Sequence, residues 1–153
     1  MSDEPNPWKN RIVGYGSKPA DQFLAHPSNW RIHPQTQREA VRGSLDELGW
    51  IDTVLENVTT GNLIDGHERV WQALQNDNAE VPYVQVELSE EEEKLALTIL
   101  DPTTAMAATD REKLGALLQE VRTGDSRLQQ MLAGLAEREG VFFGNGNEPP
   151  EDP

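Results

Sequence analysis

The sequence predicts an α+β fold, a small mixed sheet with helices between its strands, followed by a C-terminal helical hairpin. Two observations carry that expectation. Short alternating or β-branched runs ("RIVGYG", "DTVLENV", "NLID", "VPYVQVEL") are separated by turn residues or by stretches with helical spacing. After the last of them only helical patterns follow, and two of these carry leucine stripes with no strand signal between them.

Each element has its own signal. Residues 1–10 are polar and proline-bearing and read as a flexible arm. "RIVGYG" reads as a short strand, and "ADQFLAHPSNWRIHP" as a strand running into an irregular loop broken by Pro27 and Pro34. Val41, Leu45 and Leu48 recur at helical spacing and Gly49 stops them, which predicts a helix over 36–48. "DTVLENV" and "NLID" are strands around the turn "TTGN". Val70, Trp71, Ala73 and Leu74 then predict the buried face of a helix ending near Asn76. In "VPYVQVEL", Val84, Val86 and Leu88 share one face of a strand while Tyr83, Gln85 and Glu87 share the other.

Ser89 and Glu92 have the spacing of a capping box for a helix over 90–100, which Asp101-Pro102 should end. The run Glu90–Glu93 reads as a solvated helix amino terminus. Thr109 and Glu112 repeat the capping device. Leu114, Leu117, Leu118 and Val121 form one stripe, and Leu128, Met131, Leu132 and Leu135 another, with Gly124 between them. Such stripes pack on each other or serve as a homodimer interface. The domain expectation is an arm over 1–10, a domain over 11–101, a helical extension over 102–140 and a disordered tail or linker over 141–153.

Composition narrows the function. The 153 residues are 36% hydrophobic with a mean hydropathy of −0.66, enough for a modest core. No apolar run approaches the roughly 18 residues of a membrane span, and no secretory leader is evident, so a cytoplasmic protein with no membrane partner is expected. Without cysteine there is no disulfide, thiolate metal site or cysteine nucleophile. The net charge of −14 argues against DNA binding by phosphate neutralisation alone. Residues 1–50 are balanced, however, with six Lys/Arg against six Asp/Glu, so nucleic acid or nucleotide could approach that part.

Two constellations could carry chemistry. In "IDGHER", Gly66 marks a strand-to-helix junction, where backbone N–H groups attract phosphate and a missing Cβ allows close approach. Arg69 could fork onto phosphate oxygens, His67 could handle a proton, and Asp65 and Glu68 could hold Mg²⁺. Asp65 and Glu68 also have the spacing of a simple capping pair. In "NWRIHP", Arg31 and His33 alternate with Trp30 and Ile32, either as a two-faced binding segment or as a loop anchored by Trp30.

The order of these segments, with Gly66-His67-x-Arg69 and Asn29-x-Arg31-x-His33-Pro34 as its most specific parts, resembles the ParB/sulfiredoxin fold, in its ParB-like nuclease-domain branch. The resemblance covers about Pro19 to Asp101. It implies binding of a nucleotide (CTP or ATP, with Mg²⁺) or of DNA phosphate by Gly66, Arg69, Arg31, His33 and Asn29. It also implies nuclease or nucleotide-hydrolase chemistry at Asp65, His67 and Glu68. Sulfiredoxin activity is excluded by the absence of cysteine. Partitioning ParB proteins carry Gly-Glu-Arg-Arg-x-Arg where this chain has "GHERVW", which keeps Arg69 alone of the three arginines. The segments resemble more closely the module that precedes DNA methyltransferases in phages and mobile elements. A role in DNA modification, processing or segregation, beside a methyltransferase domain, is therefore expected. The alternatives are a free-serine-type small-molecule kinase of the same fold and a non-catalytic interaction module.

Overall fold

The computed structural model describes residues 7–143, and of residues 102–105 the backbone alone. Its strands are β1 (Ile12–Pro19), β2 (Leu24–Ala25), β3 (Val54–Asn57), β4 (Asn62–Asp65) and β5 (Glu80–Val86). They form one sheet in the order β1-β5-β3-β4-β2. The pairs β1/β5 and β3/β4 are antiparallel, while β3/β5 and β2/β4 are parallel, so the sheet is mixed as expected. The helices are α1 (Gln35–Leu48), α2 (His67–Gln75), α3 (Glu90–Ala105), α4 (Arg111–Glu120) and α5 (Ser126–Glu139).

The chain divides into two compact units, Met1–Ser28 with Thr53–Leu97, and Asn29–Asp52 with Thr98–Pro153. The first contains the sheet, α2 and the start of α3. The second contains α1, α4 and α5, so α1, expected within the 11–101 domain, groups with the C-terminal helices instead.

In the first unit, one sheet face buries Ile64, Val86 and Leu97, with Leu55, Leu88 and Ala96 packed on them. On the other face of β5, Tyr83 and Gln85 are half-buried. They stand opposite Gly16 and Gly14 of β1. A Cβ at Gly14 would come within 2.9 Å of Gln85 Oε1, and one at Gly16 would meet the Tyr83 phenol. The two glycines make room for the two large side chains. Strand β1 runs three residues beyond the expected "RIVGYG", to Pro19, because β5 continues opposite it to Glu80.

In the second unit α1 lies on α5. A Cβ on Gly43 would stand 3.0 Å from Asp125 Oδ1 and 3.2 Å from Leu128 Cγ, a close approach that glycine permits. Arg127 Nη2 donates to Asp46 Oδ2 at 2.8 Å and to Asp125 Oδ2 at 2.7 Å. Arg127 thereby holds the Asp125 carboxyl down at about 2. The leucine stripes pack on each other, with Leu118, Ala136 and Phe143 buried among Leu114, Val121, Leu132, Ala133 and Val141. Phe143 is 0% exposed, so the tail expected from 141 cannot begin there. The rest of that tail, and residues 1–6 of the expected arm, lie outside the described residues.

Helix ends show what short polar side chains can and cannot signal. The Ser89–Glu92 box forms in both directions, at 3.2 and 3.0 Å. Helix α3 does not stop at Asp101-Pro102 but continues to Ala105. Proline removes one helical N–H, which can bend a helix without ending it. Helix α4 is capped not by Thr109 but by Asp110, which accepts from Lys113 N at 3.1 Å. Among the described residues no helix is long and apolar enough to cross a membrane.

Candidate functional site

Strand β4 ends at Asp65 and α2 begins at His67, with Gly66 between them as the N-cap residue at φ +98°. That left-handed conformation suits glycine and strains other residues. Space gives a second reason, since a Cβ on Gly66 would run into Val54 and lie 3.3 Å from Arg69 Nη2. The N-cap position falls on Gly66, which has no side chain to cap α2, and not on Asp65 as a capping pair with Glu68 requires. Asp65 Oδ2 accepts instead from Arg69 Nη2 at 3.3 Å, and Arg69 Nη1 donates to the Thr53 carbonyl at 3.1 Å. Arg69 thus ties the start of α2 to the segment entering β3. Glu68, expected to hold Mg²⁺ or to complete a capping pair, is buried.

His67 is turned into the first unit. Its Nε2 accepts the backbone N–H of His26 at 3.1 Å, which ties α2 to the end of β2. His26 is buried in turn: its Nδ1 accepts Ser28 N–H at 2.9 Å, leaving Nε2 to donate to Glu93 Oε2 at 3.1 Å. Glu93 is the hub. Only 3% exposed, it also accepts from Asn57 Nδ2 at 3.0 Å, Asn62 Nδ2 at 3.2 Å and the Thr60 hydroxyl. Burial pushes the Glu93 carboxyl up, but the donors from Thr60, Asn57 and Asn62 outweigh it and hold it below its ordinary value. The sequence reading of Glu90–Glu93 as one solvated run is corrected here. Glu92 pairs with Arg11 at 2.6 Å, and Glu93 is interior.

The "NWRIHP" residues belong to the second unit. Arg31 Nη1 pairs with Asp101 Oδ2 at 3.0 Å, and His33 Nδ1 contacts Gln37 Oε1 at 3.0 Å. Asn29 is half-buried, and its Oδ1 has no hydrogen-bond partner among the described residues. Trp30 and Ile32 are exposed, Ile32 at 91%, so the polar side chains face in and the apolar ones out. That reverses the expectation of a loop anchored by Trp30 with Arg31 and His33 solvated.

Among the described residues no three His, Cys, Asp or Glu side chains converge to hold a metal, and the Asp65 carboxylate expected to do so faces Arg69. Trp71 is also misplaced by the helical periodicity. It is 41% exposed, and α2 buries Glu68, Val70, Gln72 and Ala73. His26, Asn57 and Glu93 were not foreseen as a cluster. A usable signal existed for Glu93, which lies three and four residues before Ala96 and Leu97, in phase with the apolar face of α3.

A mixed five-stranded sheet with helices interspersed as found here defines a ParB-like fold. In particular, the chain is similar to the C-terminally truncated chromosome-partitioning protein ParB from Caulobacter crescentus, complexed with CTP-γ-S. The TM-score is 0.54 and the identity 21%, over 84% of this chain and 72% of that one. A Pnob8-like ParB-N domain matches with a TM-score of 0.51 and 17% identity, over 86% of this chain and 51% of the other, so the chain spans about half of that neighbour's length. No family model matches the sequence, and no curated protein matches it.

Proposed function

We propose that this chain is a ParB-like binding module that receives the phosphates of a nucleotide at the start of α2. The observation that carries this reading is Gly66. It holds a left-handed conformation at a helix start that no side chain caps, on a fold whose similar structure from Caulobacter crescentus is complexed with a nucleoside triphosphate analogue. The positive end of a helix favours an anion there. Arg69, held at the same junction by Asp65 and the Thr53 carbonyl, supplies the nearby cation. Nucleotide is favoured over duplex DNA because the chain carries a net charge of −14.

Catalysis at Asp65, His67 and Glu68 is not favoured. Asp65 is engaged by Arg69, His67 Nε2 by the His26 amide, and Glu68 is buried. The same arrangement argues against the serine-kinase reading, in which Asp65 would have to take a substrate proton. A setting in DNA modification or segregation, alongside a methyltransferase, rests on the motif resemblance. Arg31, Asn29 and His33 are assigned a contribution on the same ground.

Calorimetric titration of CTP, ATP and a short DNA duplex, each with and without Mg²⁺, tests the proposal. Wild type should bind at least one nucleotide more tightly than the duplex. Arg69→Lys, which keeps the charge and loses the fork, should weaken binding roughly tenfold, because a charge-assisted hydrogen bond is worth about 1.5–3 kcal/mol and lysine replaces part of it. Binding that is absent for every nucleotide, or identical in the variant, overturns it.

A further inference from the structure

Strand β1 lies at an edge of the sheet, with β5 on one side and no described strand on the other. An edge strand presents alternate N–H and C=O groups outward, a template for another chain. Such edges are commonly protected by exposed charges, and β1 lacks that protection. Its single charged residue, Lys18, is drawn away. The ammonium donates to buried Glu56 at 2.7 Å and lies 4.6 and 5.1 Å from the ring centres of Phe23 and Tyr83. Just before the strand, Arg11 is taken up by Glu92. The large side chains that remain exposed are apolar, with Val13 at 53% and Tyr15 at 74%, and Ser17 is the one exposed polar residue of the strand. The pairing register shifts between Ile12 and Gly14, then runs unbroken from Gly14 to Pro19.

The charge around this edge selects the partner. At the Ile12 end, Glu92 pairs with Arg11 and Glu87 acts on it, while Glu90 and Lys9 are their neighbours in sequence. At the Pro19 end, Glu56, Glu80 and Asp21 stand against Lys18, and Glu80 reaches β1 by accepting from the Ser17 hydroxyl at 3.0 Å. Carboxylates exceed cations at both ends. A second copy of this chain, with its net charge of −14, would be repelled.

We propose that β1 is a strand-addition site for a basic, extended segment of a partner protein, its backbone pairing with Gly14–Lys18 and its cations meeting the carboxylates at the two ends. Side chains of the incoming strand on the exposed face would pack on Tyr15 and Val13.

The test uses the full chain and a short peptide of alternating valine and threonine with a lysine at each end, followed by NMR. The expected result is that amide resonances of Gly14 to Lys18 shift and become protected from exchange. A counterpart peptide with glutamate at each end should not produce this effect. Glu80→Gln combined with Glu87→Gln should weaken the basic peptide roughly three- to tenfold, the range for exposed ion pairs, while nucleotide titrations stay unchanged. No perturbation of β1 at millimolar peptide, equal binding of the acidic peptide, or concentration-dependent dimerisation through β1 would each overturn the proposal.

Discussion

The Nε2 of His67 accepts the backbone N–H of His26 across 3.1 Å, which makes a residue expected to do chemistry part of the scaffold. Replacing it by phenylalanine keeps a ring of similar shape and removes the acceptor. His67→Phe should lower stability by about 1–3 kcal/mol, the cost of leaving a donor unsatisfied. Urea unfolding checks this, and an unchanged midpoint would return His67 to the surface chemistry the sequence suggested.

Glu93→Gln should cost about 2–3 kcal/mol, because a carboxylate surrounded by donors becomes an amide that turns a donor of its own toward some of them. The folded-state carboxyl is held below its ordinary value, so the native state binds its proton less readily than the unfolded state does. Its contribution is therefore complete above the unfolded carboxylate range, about pH 4–5, and is lost as pH falls through the folded value. Thermal melts across that range should be steeper in pH for wild type than for Glu93→Gln. Parallel curves would mean that folding leaves the affinity of Glu93 for its proton unchanged, and a wild type that gains stability as pH falls would mean that Glu93 is protonated in the folded protein.

Gly66→Ala forces a Cβ into a left-handed backbone and against Val54. Those terms are of order 1–2 and 1–3 kcal/mol, so a loss of about 3 kcal/mol is expected. Only the second should respond to Val54→Ala. A double-mutant cycle should show coupling of about 1 kcal/mol, and strict additivity would place the whole cost in the backbone.

Phe143→Ala should destabilise the second unit by about 3–5 kcal/mol, as expected for an aromatic side chain removed from a core. Loss of helical signal on heating should move to lower temperature. A change below about 1 kcal/mol would mean that Leu118 and Ala136 pack adequately without it.

What the sequence disclosed is what local chemistry determines. The strand order along the chain and the Ser89–Glu92 box depend on near neighbours and are found as read, and of the two leucine stripes Leu114, Leu118, Val121 and Leu132 pack together while Leu117 and Met131 are exposed. Glycine at 66 was legible because a strand met a helix there. The partners of Arg69 and His67 were not, since Thr53 and His26 reach them only once the sheet has formed. Trp71 shows the limit of periodicity. A helix packed on other elements can bury Glu68 and Gln72 and leave an indole out. The inward turn of Arg31 depends on Asp101, far along the chain, and no local pattern announces it.

Both units are discontinuous in sequence, and this governs the order in which the protein can assemble as it is synthesised. Strand β1 leaves the ribosome some seventy residues before its neighbour β5, with Ile12 opposite Val86. Helix α1 emerges soon after, and the α5 residues it packs on follow only after β3, β4, β5 and three further helices. These segments must therefore remain unpaired while the residues between them and their partners are being made. High contact order of this kind slows folding and leaves apolar strands open to aggregation in the interval. A nascent chain halted before β5 would expose β1 and β3 together, so its demand for chaperones should fall abruptly once residue 86 has cleared the exit tunnel.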